Sequence, residues 1–117
     1  MKDNIVKNKS FQFALRIIKL YKYLTNEHRE YVLSKQLLRS GTAIGAMMRE
    51  AEHAESKMDF IHKCSIALKE CNESDYWIEL LYQSDYLNEK AYRSLKNDNE
   101  EILKLLVTII KTSKNNL

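Results

Sequence analysis

Proline is absent from this chain and glycine occurs twice. A β-rich or loop-rich fold of this size needs more turn formers than that. With so few helix breakers, the many Leu, Lys, Glu and Ala residues favour long helices. No apolar run approaches the ~20 residues of a membrane span. The opening Met1-Lys2-Asp3-Asn4-Ile5-Val6-Lys7-Asn8-Lys9 lacks the apolar middle of a signal peptide, so a cytoplasmic location and no membrane partner are expected. Cysteine is scarce as well, with only Cys64 and Cys71. Seven residues apart on one helix face, they stand ~10 Å from each other along the axis, too far for a disulfide. Their expected place is in the core, as small apolar side chains.

What is present fits one domain, residues 1–117, built as an all-α, antiparallel up-down-up-down four-helix bundle. The chain is 44% hydrophobic and 30% charged, enough for one core but not two. The spacing predicts helices over about 11–24, 30–54, 57–82 and 88–112. Ser10 is the expected N-cap of the first, and Thr25-Asn26-Glu27-His28 reads as the first loop. The second helix carries Leu33, Leu37, Ser40, Ile44, Met47 and Ala51, alternately four and three apart, which marks a bundle seam. That seam keeps phase through Arg39–Gly45, which argues against a turn there. Two glycines inside a helix cost about 1 kcal/mol each, so Gly41 and Gly45 imply a close helix approach. The small residues of the third helix (Cys64, Ala67, Cys71, Ser74) are expected opposite them. Ser56-Lys57-Met58-Asp59 has the form of a capping box for that helix. Asn88 or Asp85 serves the fourth.

The first and last helices carry more apolar surface than one core needs. The first has two stripes, Phe11, Ala14, Leu15, Ile18 and Tyr21 on one side and Phe13, Ile17, Leu20 and Leu24 on the other. The fourth is apolar nearly all round from Ile102 to Ile110, interrupted by Lys104 and Thr108. The surplus is assigned to contacts with sister copies through Phe13, Ile17, Leu20 and Leu24 with Leu103, Val107 and Ile110. Charge is uneven. Residues 1–24 hold six basic groups against one acid, whereas residues 55–87 hold three against seven. That polarity permits head-to-tail pairing of subunits, basic side to acidic side.

Polar candidates are few. Glu50 and His53 have the E-x-x-H spacing of di-iron bundles. The near copy Asp59-x-x-His62 lies in a first helical turn, and solvated faces account for both, so no metal or other cofactor is assigned. No phosphate-cradling loop or nucleophile elbow occurs, and no catalytic residue is assigned. Arg39, Glu70 and Asp75 lie beside the seams, where a half-buried charge needs a partner across helices, and are read as structural. Lys9, Arg16 and Lys19 share one strip of the first helix with Tyr23 nearby. Cations with an aromatic can hold single-stranded nucleic acid by charge and stacking.

Helices two and three carry a resemblance. Ser34-Lys35-Gln36-Leu37-Leu38-Arg39-Ser40-Gly41-Thr42-Ala43-Ile44-Gly45-Ala46 is followed by Glu50-Ala51. Asp59-Phe60-Ile61-His62-Lys63-Cys64-Ser65-Ile66-Ala67-Leu68-Lys69-Glu70 and Tyr76-Trp77 come after it. This pattern resembles the four-helix bundle family of 23S ribosomal RNA intervening-sequence proteins, over about Phe11 to Ile110. The resemblance implies an antiparallel four-helix bundle, commonly a closed homopentamer, with no established enzymatic activity. The accessory variability protein of diversity-generating retroelements is similar in fold, which extends the implied partners to RNA and a reverse transcriptase. The chain departs from the family pattern at Met47, Met48 and Arg49, where a smaller or more polar run is usual. The expectation is therefore a non-enzymatic homo-oligomeric module, with an RNA-binding accessory protein as the alternative and a metal enzyme a distant third.

Overall fold

The computed structural model describes residues 2–117, with side chains from Asn4 onward; Met1, the first residue of the expected domain, lies outside the described residues. Four helices account for the architecture: α1 (Lys2–His28), α2 (Leu33–Glu52), α3 (Lys57–Gln83) and α4 (Glu89–Asn115). Each packs on the next, and α1 closes the square against α4, the lightest of the four seams. Among the described residues no helix pair approaches across a diagonal. The turns are too short for anything but antiparallel neighbours, and the bundle measures 48 × 22 × 19 Å. Among the described residues no helix is long and apolar enough to cross a membrane.

The first helix starts well before the expected Phe11. Val6 is fully buried, so the amphipathic pattern reaches back to the N-terminal turns. Ser10 is no cap. It is buried in the helix interior, where its Oγ donates to the Lys7 carbonyl at 3.1 Å, the back-bond that lets a serine sit mid-helix. Nor is Thr25–His28 a loop. Thr25 Oγ donates to the Tyr21 carbonyl at 2.9 Å and these residues form the last turn of α1. The chain reverses instead at Arg29, in the left-handed region at φ 52°, and the Glu30 amide donates back to Leu24 O at 3.0 Å.

Glu30 lies ahead of α2 rather than within it. Its carboxylate accepts from the backbone amides of Val32 (2.9 Å), Leu33 (3.0 Å) and Ser34 (2.6 Å). These are the donors that a helix start leaves without partners, and they postpone the first helical residue to Leu33. The cap of α3 is as read. Ser56 Oγ accepts from the Asp59 amide at 3.1 Å, while Asp59 Oδ2 accepts from the Glu55 amide at 3.1 Å. Asn88 caps α4 by accepting from the Ala91 amide at 2.8 Å.

The core follows the seams. Leu37, Ile44 and Ala51 of α2 share one buried cluster with Cys64, Ala67, Cys71, Ile78 and Leu81 of α3 and Ile102 and Leu106 of α4. Each large side chain so covered contributes roughly 1.5–3 kcal/mol. The second helix runs unbroken through both glycines, but they face α1 and not α3. A Cβ at Gly41 would meet Ile17, and one at Gly45 would meet Ser10. The crossing of α2 with α3 is marked instead by two buried serines, Ser40 Oγ and Ser74 Oγ, 2.9 Å apart. Met48, not Met47, takes the fully buried place in the α2 seam.

Candidate interaction surface

The glycine contact decides which stripe of α1 faces inward. Because α2 closes on Ile17 and Ser10, the stripe holding Phe13, Ile17 and Leu24 becomes core, each at most 1% exposed. The expected oligomer face includes those three and Ile110 of α4; all four are buried under the chain's own helices, Ile110 at 9% exposure and the others at 1% or less, and offer little or no area to a partner. Leu20 and Leu103 are half-buried against the core. Of the assigned set only Val107, at 45% exposure, stands clearly in solvent. The opposite stripe of α1 is the open one: Phe11, Leu15 and Ile18 are 46, 47 and 36% exposed. Their spacing of four and three sets them in line on one helical face. The Arg49 guanidinium lies 5.4 Å from the Phe11 ring centroid, a cation–π contact that props the ring up on the α2 side.

The sequence held a signal for this inversion. Val6, Ser10, Phe13, Ile17, Leu20 and Leu24 repeat four and three apart, the same alternation as in α2. Starting the helix at Phe11 hides the first two members of that seam.

The basic strip of α1 faces α4. Lys9 pairs with Glu101, and Arg16 pairs with Asp98 at 2.5 Å. Lys19 forms no ion pair among the described residues. The Tyr23 hydroxyl lies 2.9 Å from His28 Nε2, with the two rings edge to face. Lys9 lines one, and Arg16, Lys19 and Tyr23 line the other, of two separate depressions between α1 and α4. The first, about 230 Å³, lies beside Gln12, Phe13 and Ile102. The second, about 420 Å³, is lined by Arg16, Lys19, Leu20, Tyr23, Ala91 and Leu95.

The three structural polar residues serve two different seams. Arg39 reaches from α2 to Glu70 (3.2 Å) and Glu73 on α3, and Trp77 Nε1 donates to Glu73 at 3.2 Å. The hydrogen bonds that Arg39 donates to Glu73 and Glu70 raise the Arg39 pKa, and the one accepted from Arg39 holds the Glu73 carboxyl below its ordinary value. Asp75 is on another face, paired with Lys96 of α4 at 3.3 Å. Of the E-x-x-H pairs, Glu50 binds Lys63 at 3.0 Å and Asp59 is held by its capping bond. Among the described residues no three His, Cys, Asp or Glu side chains converge as metal ligands would.

An all-α four-helix bundle with an uncovered stripe on its first helix defines the class of protein. The 23S rRNA-intervening sequence protein family model matches residues 2–108, and the chain belongs to that family. Among solved structures it is similar to a protein of unknown function from the S23 ribosomal protein family of Bacteroides thetaiotaomicron VPI-5482. The two are 59% identical with a TM-score of 0.94, over 95% of this chain and 99% of the other. No protein of curated function matches.

Proposed function

We propose that this chain is a non-enzymatic interaction module that works as a homo-oligomer. The observation that carries the reading is the row of Phe11, Leu15 and Ile18 on the outside of α1. The bundle's own packing leaves this row uncovered, and contiguous apolar surface of this kind marks association sites. Light scattering on the full chain at micromolar concentration tests it: a multiple of the 13.8 kDa chain mass is expected, and a monomer overturns the proposal.

RNA binding is the second reading. It draws on the name of the family and on Lys19 and Lys22, which have no ion-pair partner among the described residues and flank the half-exposed Tyr23. It comes second because Lys9 and Arg16 are already matched by acids of α4. It requires RNA retention that falls steeply with added salt and is lost when Lys19 and Lys22 are both changed to Glu. Salt-independent retention, or none at low ionic strength, removes it.

A further inference from the structure

The turns of the bundle treat their apolar side chains in opposite ways. At 84–88 the polar Ser84, Asp85 and Asn88 are exposed, while Tyr86 is half-buried and Leu87 buried. At 53–56 the exposed residues are polar too. The turn between α1 and α2 is inverted. Its acid, Glu30, is buried, whereas Tyr31 and Val32 stand 57 and 71% exposed. Arg29 is exposed just before them.

These three outward side chains contribute nothing visible to the fold. Arg29 holds the left-handed region at φ 52°, where glycine or a short Asn or Asp is at ease and a long side chain is not. Asp85, at φ 69° in the turn after α3, is the usual solution. Neither Arg29 nor Tyr31 forms a side-chain hydrogen bond, ion pair or ring contact among the described residues. Val32 gives α2 no side-chain cap bond. Glu30 does the capping through its three amide bonds. It is itself clamped, since its carbonyl accepts from Ser34 Oγ at 2.7 Å and its amide donates to Leu24 O. The loop is therefore fixed from the inside, and its outer residues break local rules with no gain in packing. Such positions point to function. We propose that residues 29–32 form a pre-organised contact loop for a second protein, whose surface offers an apolar recess for Tyr31 and Val32 edged by carboxylates for Arg29.

Charge and composition define that partner. Arg29 and Lys35 have no ion pair among the described residues, and the backbone amides take up the Glu30 carboxylate. Within residues 27–35 this leaves Glu27 as the one free acid against two free cations, so an acidic surface is complementary. Tyr and Arg are the side chains that anchor protein interfaces, and a rigid loop loses little freedom on binding. Anionic membranes are held by clusters of about four to eight cations, and a single strand of nucleic acid needs a basic groove with successive stacking rings. One ring and two cations fall short of both. The loop is separate from the Phe11–Leu15–Ile18 row, so its role stands whether or not copies associate.

A phage-displayed random peptide library selected on the full chain supplies the probe. Enriched peptides are expected to carry an aromatic or aliphatic residue beside Asp or Glu. Synthetic versions should bind Tyr31→Ser with Val32→Ser roughly tenfold or more weakly than the unaltered chain. Arg29→Gly should weaken them too, yet raise the urea midpoint, a split that a residue serving the fold does not show. Helical circular dichroism checks that the variants are folded. No enrichment, peptides that are basic, or peptides that bind the double variant equally well overturn the proposal, as does a lower urea midpoint for Arg29→Gly. Binding of the unaltered chain to phosphatidylserine vesicles or to oligo(U) that is lost in the double variant overturns it in favour of a membrane or RNA. A changed light-scattering mass for the double variant overturns it by assigning the loop to a contact between copies.

Discussion

Gly41 brings α2 so close to α1 that a Cβ at this position would stand 2.9 Å from Cγ1 of Ile17. Ile17 is fully buried and branched at Cβ, so it has no free end to swing aside. Gly41→Ala gains about 1 kcal/mol of helix propensity but meets an overpacking cost of about 1–3 kcal/mol, and is expected to destabilise the fold. Gly45, one turn on, is the internal control. Nothing comes nearer than 3.5 Å to a Cβ there, an ordinary contact, so Gly45→Ala keeps most of the propensity gain and stabilises by about 0.5–1 kcal/mol. Urea denaturation of the two variants at one protein concentration reads both signs. A stabilising Gly41→Ala would mean that the α1–α2 contact is looser than this geometry.

Glu30 sets the start of α2 with one side chain. Burial pushes its pKa up, but the bonds from the backbone amides of Ser34, Val32 and Leu33 outweigh that and hold it below the ordinary carboxylate value. Glu30→Ala leaves those amides without the carboxylate and is expected to cost about 1–2 kcal/mol, the scale of a lost helix cap. The sign of the pH dependence follows from the lowered pKa. The contribution is complete above the unfolded-state carboxylate pKa and disappears as pH falls through the lower folded-state value. The stability gap between the unaltered chain and Glu30→Ala should therefore be widest near neutrality and narrow in acid. A gap that does not change between pH 7 and pH 3 would show that the carboxylate's charge plays no part in the cap.

Elements whose evidence lies along the chain were legible in sequence, and those set by a neighbour were not. The middle of the α2 seam (Leu37, Ser40, Ile44) with Ala51, the Ser56 cap and the unbroken path of α2 through its glycines depend on local spacing and cap chemistry and appear in the structure, while Met48 and Ser34 take the buried places expected of Met47 and Leu33. Within residues 11–24 the inner and outer stripes of α1 have similar composition, so periodicity there shows that there are two without ranking them, and only the continuation of the inner one back through Ser10 and Val6 tells them apart. Their order depends on which side meets Gly41 and Gly45, a fact about packing. Glu30 was misplaced for a related reason: a glutamate two residues before a helix start has no cap signature, and only the turn at Arg29 folds its carboxylate back onto the amides. An acid across helices was expected for Arg39 from its place beside the seam, but which acid was not, and the guanidinium meets Glu70 and Glu73 while staying exposed. The partner of Asp75 was not legible, because Lys96 lies on α4, whose second half is apolar nearly all round and so leaves its rotation open. The α1–α4 depressions have no local signature either, as they exist only where that seam packs lightly.

Cys71 offers a direct measure of how tightly the core is closed. Both thiols are fully buried. Burial, with the Glu70 charge adding to it, pushes the Cys71 thiol up to about 12. The thiolate is the reactive form, so in the native bundle Cys71 is both covered and protonated throughout the physiological range. Alkylation by a neutral maleimide at pH 8 should therefore be slower than in urea by several orders of magnitude. The native rate should follow the opening equilibrium, so that its free energy approaches that of global unfolding. A second consequence is thermodynamic. An unfolded thiol ionises near pH 8.5, while the folded one keeps its proton to about 12. The unfolded state alone gains from losing the proton between those values, and the folded state loses stability as pH rises through them. Cys71→Ser lacks that ionisation and should show a flatter alkaline limb in urea titrations from pH 8 to 10. Rapid maleimide labelling of Cys71 in the native chain, or identical alkaline limbs for the two proteins, would mean that α3 and α4 part locally and expose this side chain without unfolding the bundle.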